Sequence, residues 1–529
     1  MKKIVSFKKL SVFLALIIFL SSVLAGCGGQ NAGEKNAPMK VAVYAQMHIP
    51  ITDWDPSVEM SNGVIVLCNI YETLLKYDPL NKEFIPVLAT DYRKSDDGLV
   101  WEFDIRENVK FHDGTELNAE AVKFSIERTM ELGKGPAFIW DPVDEINVKD
   151  DYTVEFKLKY PAALDLIVAS SSGAFIMSPT AVKSNPDDWL SKGNEAGTGP
   201  YMLESHQMGQ EVVFTKFEDY WQGWKDNQID KAIIKKIPET ATRRQLIEKG
   251  EVSVTRELPY EDVDSLKDNP NVIVEEGPSF ENLFLLFNTE KEPFSNKKVR
   301  QALSYAFPYD DVVEYAMGGY ALQSKGAIPF GLWGHGKDLF QYEYNLDKAK
   351  ELLAEAGYPN GGFNLLLTYA AGDEAQKKTA ELYKSELAKL NIDLEIRGMP
   401  WESQWDMGMD PDPNKRQDIY VMYWWPDLAS PYSYLYNIFH SQDEILFDLA
   451  YWKNPEFDNL IDEANIQSGI DIEKSEEMFV KAQEIMVEEA PAIFAYDKQY
   501  IKIYNKDIKG YVDNPAFPNV VFFYELYQE

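Results

Sequence analysis

The segment that most constrains this chain comes first. Lys2, Lys3, Lys8 and Lys9 precede an uncharged apolar run from Leu10 to Leu20, and Leu24-Ala25-Gly26-Cys27 follows with the chain's first cysteine. This is the pattern of an export signal ending in a lipoprotein cleavage box. The run is shorter than the roughly 18 to 20 residues a spanning helix needs, so residues 1–26 are predicted to be removed as a signal peptide. An uncleaved anchor is the alternative. Cys27 is then the lipidated N-terminus, and each buried acyl CH₂ contributes about 0.8 kcal/mol to its hold on a membrane. The rest must fold outside the cytoplasm with Cys68 as its one remaining cysteine, so no internal disulfide is available.

Without disulfides, stability has to come from cores. The body is too long for one, so two or three domains are expected, and a hydrophobic fraction of 45% can fill them. Cleavage takes away four lysines and no acid, leaving the mature chain more negative than the −34 of the whole. Such an excess repels phosphate backbones and anionic head groups, which argues against nucleic acid as a partner. Membrane attachment falls to the acyl chains. Residues 27–38 are nearly devoid of apolar side chains and are expected to be a flexible tether. Cys68 follows Val64-Ile65-Val66-Leu67 and is expected to be a buried structural thiol.

Met39 to Tyr44 alternates like a strand, and Asp53-Trp54-Asp55-Pro56 reads as a loop. A hairpin-like pair of extended runs, with Trp101, Phe103 and Ile105 on one face, leads to a turn at His112-Asp113-Gly114. A helix capped by Asn118 follows, with Ala119, Val122, Phe124 and Ile126 as apolar positions. Gly197-Thr198-Gly199-Pro200-Tyr201 is a turn cluster and a candidate boundary, and a strand is expected from Glu211 to Phe217. Leu346 to Ala356 reads as a helix stopped at Gly357, and Lys377 to Leu390 as a helix leading into a strand from Ile392 to Ile396. This alternation implies α/β domains.

Several of these blocks together resemble the family 5 extracellular solute-binding proteins, the receptors of peptide and related ABC importers. They are Asp55-Pro56; Ile70-Tyr71-Glu72-Thr73-Leu74; the run from Trp101 to Ser125; Gly197 to Tyr201; Tyr220-Trp221-Gln222-Gly223; Pro293-Phe294 with Val299-Arg300-Gln301-Ala302; residues 348–358; and Asn454 to Asp458 with Leu460-Ile461. The run from Trp101 departs from the common form at Ala121, which leaves its helix with half a capping box. The resemblance implies an α/β, two-lobed periplasmic-binding-protein fold with an extra inserted domain and two hinge crossovers. Carried over, residues 39–70, 196–277 and 496–529 form lobe I, 71–195 the inserted domain, and 278–495 lobe II.

A receptor of this kind closes on its ligand and excludes water, so polar ligand groups must be matched by protein groups. Trp424-Trp425-Pro426-Asp427-Leu428-Ala429-Ser430-Pro431 resembles the family's W-x-x-D-x-x-x-P segment, whose aspartate pairs with the peptide's N-terminal ammonium in peptide-binding members. Asp427 is therefore the leading candidate, with a helix cap or a lysine partner as its alternative role. Ser430 stands where the family often has an acid, which leaves the ligand class open. Tyr423, Trp424, Trp425, Trp401 and Trp405 are candidate cleft aromatics, and strand alternation sends Trp424 or Trp425 inward, not both. Trp54 and His48 are placed by the resemblance near the opposing wall.

The expected function is a lipid-anchored receptor outside a bacterial cell membrane, delivering peptides to a permease whose ATPase is a separate chain. A monomer is expected. An oligosaccharide ligand is the main alternative, because aromatic faces stack on sugar rings. Five widely separated histidines give little support to a nickel site, and no cofactor or metal is expected. His112 is assigned to turn structure and Arg300 to internal packing. A glycoside hydrolase is the rival class, but the carboxylates are too many to be diagnostic. G-x-S-x-G, H-E-x-x-H and Walker motifs are absent.

Overall fold

The computed structural model describes residues 39–47, 49, 51, 53–59, 63–78, 81–426, 428–442 and 445–529. The signal peptide, Cys27, the tether, His48 and Asp427 lie outside the described residues. Two large sheets, each with its own core, carry the rest.

The first sheet has seven strands, in the order Val272–Gly277, Tyr500–Asn505, Val254–Thr255, Val41–Gln46, Lys231–Lys236, Glu211–Lys216 and Tyr201–Gln207. Val41–Gln46 runs parallel to the strands on both its sides, with Tyr44 opposite Ile234 and Val254. The second sheet has six, in the order Ala321–Gln323, Ala492–Lys498, Asn282–Phe287, Ile419–Trp424, Asn364–Ala370 and Asp393–Met399. Every residue of Asn282–Phe287 is buried, the pattern of a strand covered on both faces.

The chain passes from the first sheet to the second between Gly277 and Asn282, and returns between Lys498 and Tyr500. A four-stranded antiparallel sheet, Ala89–Lys94, Val100–Ile105, Thr153–Leu158 and Val143–Asp150, lies in the excursion between Val41–Gln46 and Tyr201–Gln207. Val100–Ile105 alternates buried and part-exposed residues, with Trp101, Phe103 and Ile105 in the core as its period of two requires.

Helix ends follow side-chain chemistry. Asn118 accepts from the Ala121 N–H at 3.0 Å and starts Ala119–Leu132. Phe124 is half-buried, packed against the core of the seven-stranded sheet and beneath Lys183 at 4.6 Å. Asn345 caps Leu346–Glu355, and Gly357 beyond its end takes a φ of +94°, open to glycine at little cost. The helix expected from Lys377 begins earlier, as Glu374–Ala388, because Asp373 accepts from the Gln376 N–H at 2.8 Å.

His112 holds a junction. Its backbone N–H donates to Gly197 O at 2.9 Å, while its ring nitrogens face Glu195 Oε2 at 2.6 Å and Gly199 O at 2.8 Å. Arg300 is buried and donates to the carbonyls of Phe294 and Glu489. Among the described residues no helix is long and apolar enough to cross a membrane.

Candidate ligand-binding site

Five stretches of chain, together with Val87, converge on a cavity of about 170 Å³. They are drawn from residues 68–77, 166–175, 200–222, 428–429 and 514–525. Their convergence is built on backbone contacts. Asn69 donates from its amide to Val521 O at 3.0 Å and accepts from the Phe523 N–H at 3.0 Å, tying the C-terminal stretch to the first wall. Gly199 and Tyr201 donate backbone N–H groups to Ile70 and Asn69, at 2.8 and 3.1 Å. A Cβ at Gly197 would lie 2.0 Å from the Ile70 carbonyl oxygen, so the close approach requires glycine there.

Leu428 and Ala429, which directly follow Asp427 in the sequence and come after the strand Ile419–Trp424, form one wall. Trp333 Nε1 donates to the Ala429 carbonyl at 2.7 Å, and the Ser430 hydroxyl accepts from the Tyr432 N–H at 3.2 Å to cap Pro431–Phe439. The opposite walls are aromatic, with Tyr71, Tyr77, Phe175, Tyr220, Phe517, Phe522 and Tyr524.

Glu72 is the buried acid of this cavity, 9% exposed. Its carboxylate accepts from Tyr220 Oη at 2.8 Å, Thr198 Oγ1 at 2.8 Å and Trp221 Nε1 at 3.1 Å. No ion pair reaches it among the described residues. Burial pushes its carboxyl up to about 7, against the hydrogen bonds that favour the charged form. Cys68 is half-buried, lining the cavity and packed against the core of the seven-stranded sheet. Burial raises its thiol to about 11, which disfavours the thiolate.

None of the described candidate aromatics lines this cavity. Three of them do meet. Trp424, 8% exposed, packs edge-on against Phe447 at 5.0 Å; Phe447 meets Trp405 at 5.2 Å; and Trp405 stacks on Trp401 at 5.4 Å. Trp401 and Trp425 are 54% and 42% exposed. Tyr423 points the other way along the alternating strand, its hydroxyl 3.1 Å from that of Tyr496 and its ring beneath Lys498 Nζ at 5.1 Å. Trp54, 2% exposed, is a core residue of the seven-stranded sheet, packed on His206 at 4.6 Å. Its apolar bulk is spent on that core, so it forms no wall of the cavity.

Sequence reasoning singled out Glu72 and Tyr220 as parts of motifs without giving them a task. Their signal was a polar residue inside each apolar motif, but a separation of 148 residues hid the pairing. Among the described residues no group of three or more His, Cys, Asp or Glu is placed to hold a metal ion.

Comparison with known proteins agrees with this architecture. The family model described as bacterial extracellular solute-binding proteins, family 5 middle, matches residues 83–444. The probable D,D-dipeptide-binding periplasmic protein DdpA of Escherichia coli (strain K12) is 30% identical over 531 residues, covering 98% of each chain. The glutathione-binding protein GsiB of Shigella flexneri is 28% identical over 431 residues, covering 80% of this chain and 83% of that one. Among solved structures, the ABC transporter-associated periplasmic binding protein DppA of Helicobacter pylori, in complex with the peptide STSA, superposes with a TM-score of 0.79 at 27% identity. It covers 92% of this chain and 98% of that one. The two-lobed α/β fold is shared with these proteins. By its sequence match and by its architecture, this chain belongs to family 5 of the bacterial extracellular solute-binding proteins.

Proposed function

We propose that this protein is the receptor of an ABC importer and captures short peptides for a membrane permease whose ATPase is a separate chain. The observation that carries the reading is the position of Leu428 and Ala429. They line a cavity together with residues 68–77 and 514–525, and they directly follow Asp427 in the sequence. In this reading the Asp427 carboxylate takes the ligand's ammonium, each stabilising the charged form of the other where water is excluded. The similarity to DdpA, a probable D,D-dipeptide-binding periplasmic protein, and to DppA with its bound peptide STSA supports it.

Residues 39–70, 196–277 and 496–529 act as lobe I, 71–195 as the inserted domain and 278–495 as lobe II, hinged where the chain crosses between the sheets. Cleavage before Cys27 and its acylation hold the receptor on the outer face of the cell membrane, with residues 27–38 as tether. The protein acts as a monomer and releases its ligand chemically unchanged.

Calorimetry with dialanine, in D,D and L,L forms, and with N-acetyl-dialanine tests this. Asp427→Asn is expected to weaken the free-amine peptide while leaving the acetylated one unaffected. Equal losses would refute the amine anchor, and a wild-type protein that binds no dipeptide would refute peptide capture. A sugar receptor is the second reading, favoured by the stacked, exposed Trp401 and its neighbour Trp405. Maltotriose titrated alongside decides between them.

A further inference from the structure

We infer that the turn at Gly469 is a catch that holds the protein closed from outside the ligand cavity. The inference rests on the lobes proposed above and is independent of which ligand they enclose. Gly469 ends the helix Pro455–Ser468, in the stretch of chain between the two crossings. It is buried against residues of the four-stranded sheet and its connections. Lys94, the last residue of Ala89–Lys94, donates from its ammonium to the Gly469 carbonyl at 2.9 Å. A cation at that place complements the negative end of a helix. Gly98, in the turn that follows Lys94, has a φ of +70°, and a Cβ on it would lie 3.0 Å from the same carbonyl oxygen. None of these residues lines the cavity.

The backbone of Gly469 does not call for glycine. Its φ of −77° and ψ of −15° are ordinary helical values, open to any residue. What forbids a side chain is the neighbour, since a Cβ at 469 would lie 2.4 Å from the Ala162 nitrogen and 2.7 Å from its carbonyl oxygen. The glycine therefore serves the contact and not the helix, where alanine is the more favourable residue. Topology gives the contact its effect. The four-stranded sheet lies in an excursion from the first sheet, whereas Gly469 lies in the stretch that builds the second. Opening about the crossings at 277–282 and 498–500 parts Gly469 from Lys94 and Ala162. Tyr77, Phe84 and Leu166 pack against the core of the second sheet and add apolar area between the same two bodies. The catch thus biases the protein toward its closed form, and a ligand that binds that form gains affinity from residues it never touches.

The test uses the full mature protein as wild type, Gly469→Ala and Lys94→Met, with calorimetry on dialanine and small-angle scattering of the ligand-free protein. Gly469→Ala is expected to weaken dialanine by about 10-fold or more, because its Cβ cannot seat against the Ala162 backbone. Lys94→Met, which loses one hydrogen bond, is expected to weaken it by about 2- to 10-fold. Both variants are expected to show a larger radius of gyration than wild type when free of ligand. Wild-type affinity in both would overturn the catch, as would free-state scattering profiles that superpose on that of wild type. Should Gly469→Ala lower the urea midpoint and so fail to fold soundly, Lys94→Met decides by the same two measurements. A wild-type protein that binds no dialanine would remove the peptide reading alone, and the scattering comparison would still decide the catch.

Discussion

Lys498 and Glu281 lock together the two chain crossings between the large sheets. The Lys498 ammonium reaches both carboxylate oxygens of Glu281, at 3.3 and 3.2 Å, and its backbone N–H donates to the Glu281 carbonyl at 2.8 Å. One crossing ends at Glu281 and the other begins after Lys498, so any bending of the sheets against each other turns about a paired unit.

Glu281→Gln keeps the backbone bond and removes the charge, leaving a partly buried ammonium with a weaker partner. Because the pair is partly exposed, the expected loss is only about 1 kcal/mol. Urea denaturation checks it, and an unchanged midpoint would show that the backbone bond alone holds the crossings.

Glu72 makes stability depend on pH. Burial raises its carboxyl from the ordinary 4.5 to about 7, so between these values the folded chain binds a proton that the unfolded chain has lost. Folding stability therefore falls as pH rises through that window, by about 3 kcal/mol from this group. Asp165 and Asp497, both raised to about 6 by burial, act in the same direction. Glu72→Gln is expected to flatten the profile above pH 5 relative to wild type, measured by urea midpoints from pH 4 to 8. Parallel profiles would assign the slope to the other acids.

Gly197→Ala forces a Cβ to within 2.0 Å of the Ile70 carbonyl oxygen. Backbone cannot yield as a flexible side chain would, so a loss of about 3 kcal/mol is expected, seen as a lowered urea midpoint. A wild-type midpoint would show that the turn at 197–201 relaxes freely.

Arg128 grips Asp55 in a two-pronged pair, Nη1 to Oδ1 at 2.8 Å and Nη2 to Oδ2 at 2.5 Å, joining the loop after the first strand to the helix Ala119–Leu132. Both side chains are largely buried. Arg128→Met is expected to cost about 3 kcal/mol by stranding the carboxylate, and Asp55→Asn in the same chain should recover part of it. Additive losses in the double-mutant cycle would rule out direct coupling.

Local order was legible because its causes are local. Trp101, Phe103 and Ile105 announce a strand by a period of two, and Asn118 and Gly357 mark helix ends through groups within a few residues. The helix expected from Lys377 starts at Glu374 because the Asp373 side chain caps it one turn earlier. Trp54 was read as a wall because an aromatic in a loop looks the same whether it covers a ligand or plugs a core.

Sequence by itself determined the α/β class, the family and the segment that carries Asp427, since periodicity, capping and motif blocks are written within short stretches of chain. Only the tertiary structure decided that Glu72 meets Tyr220, that Lys76 lies over Phe522, and that Glu281 holds Lys498 across 217 residues. The physical reason is that such contacts depend on strand order and sheet crossing, which bring distant residues together after the local signals have been used up.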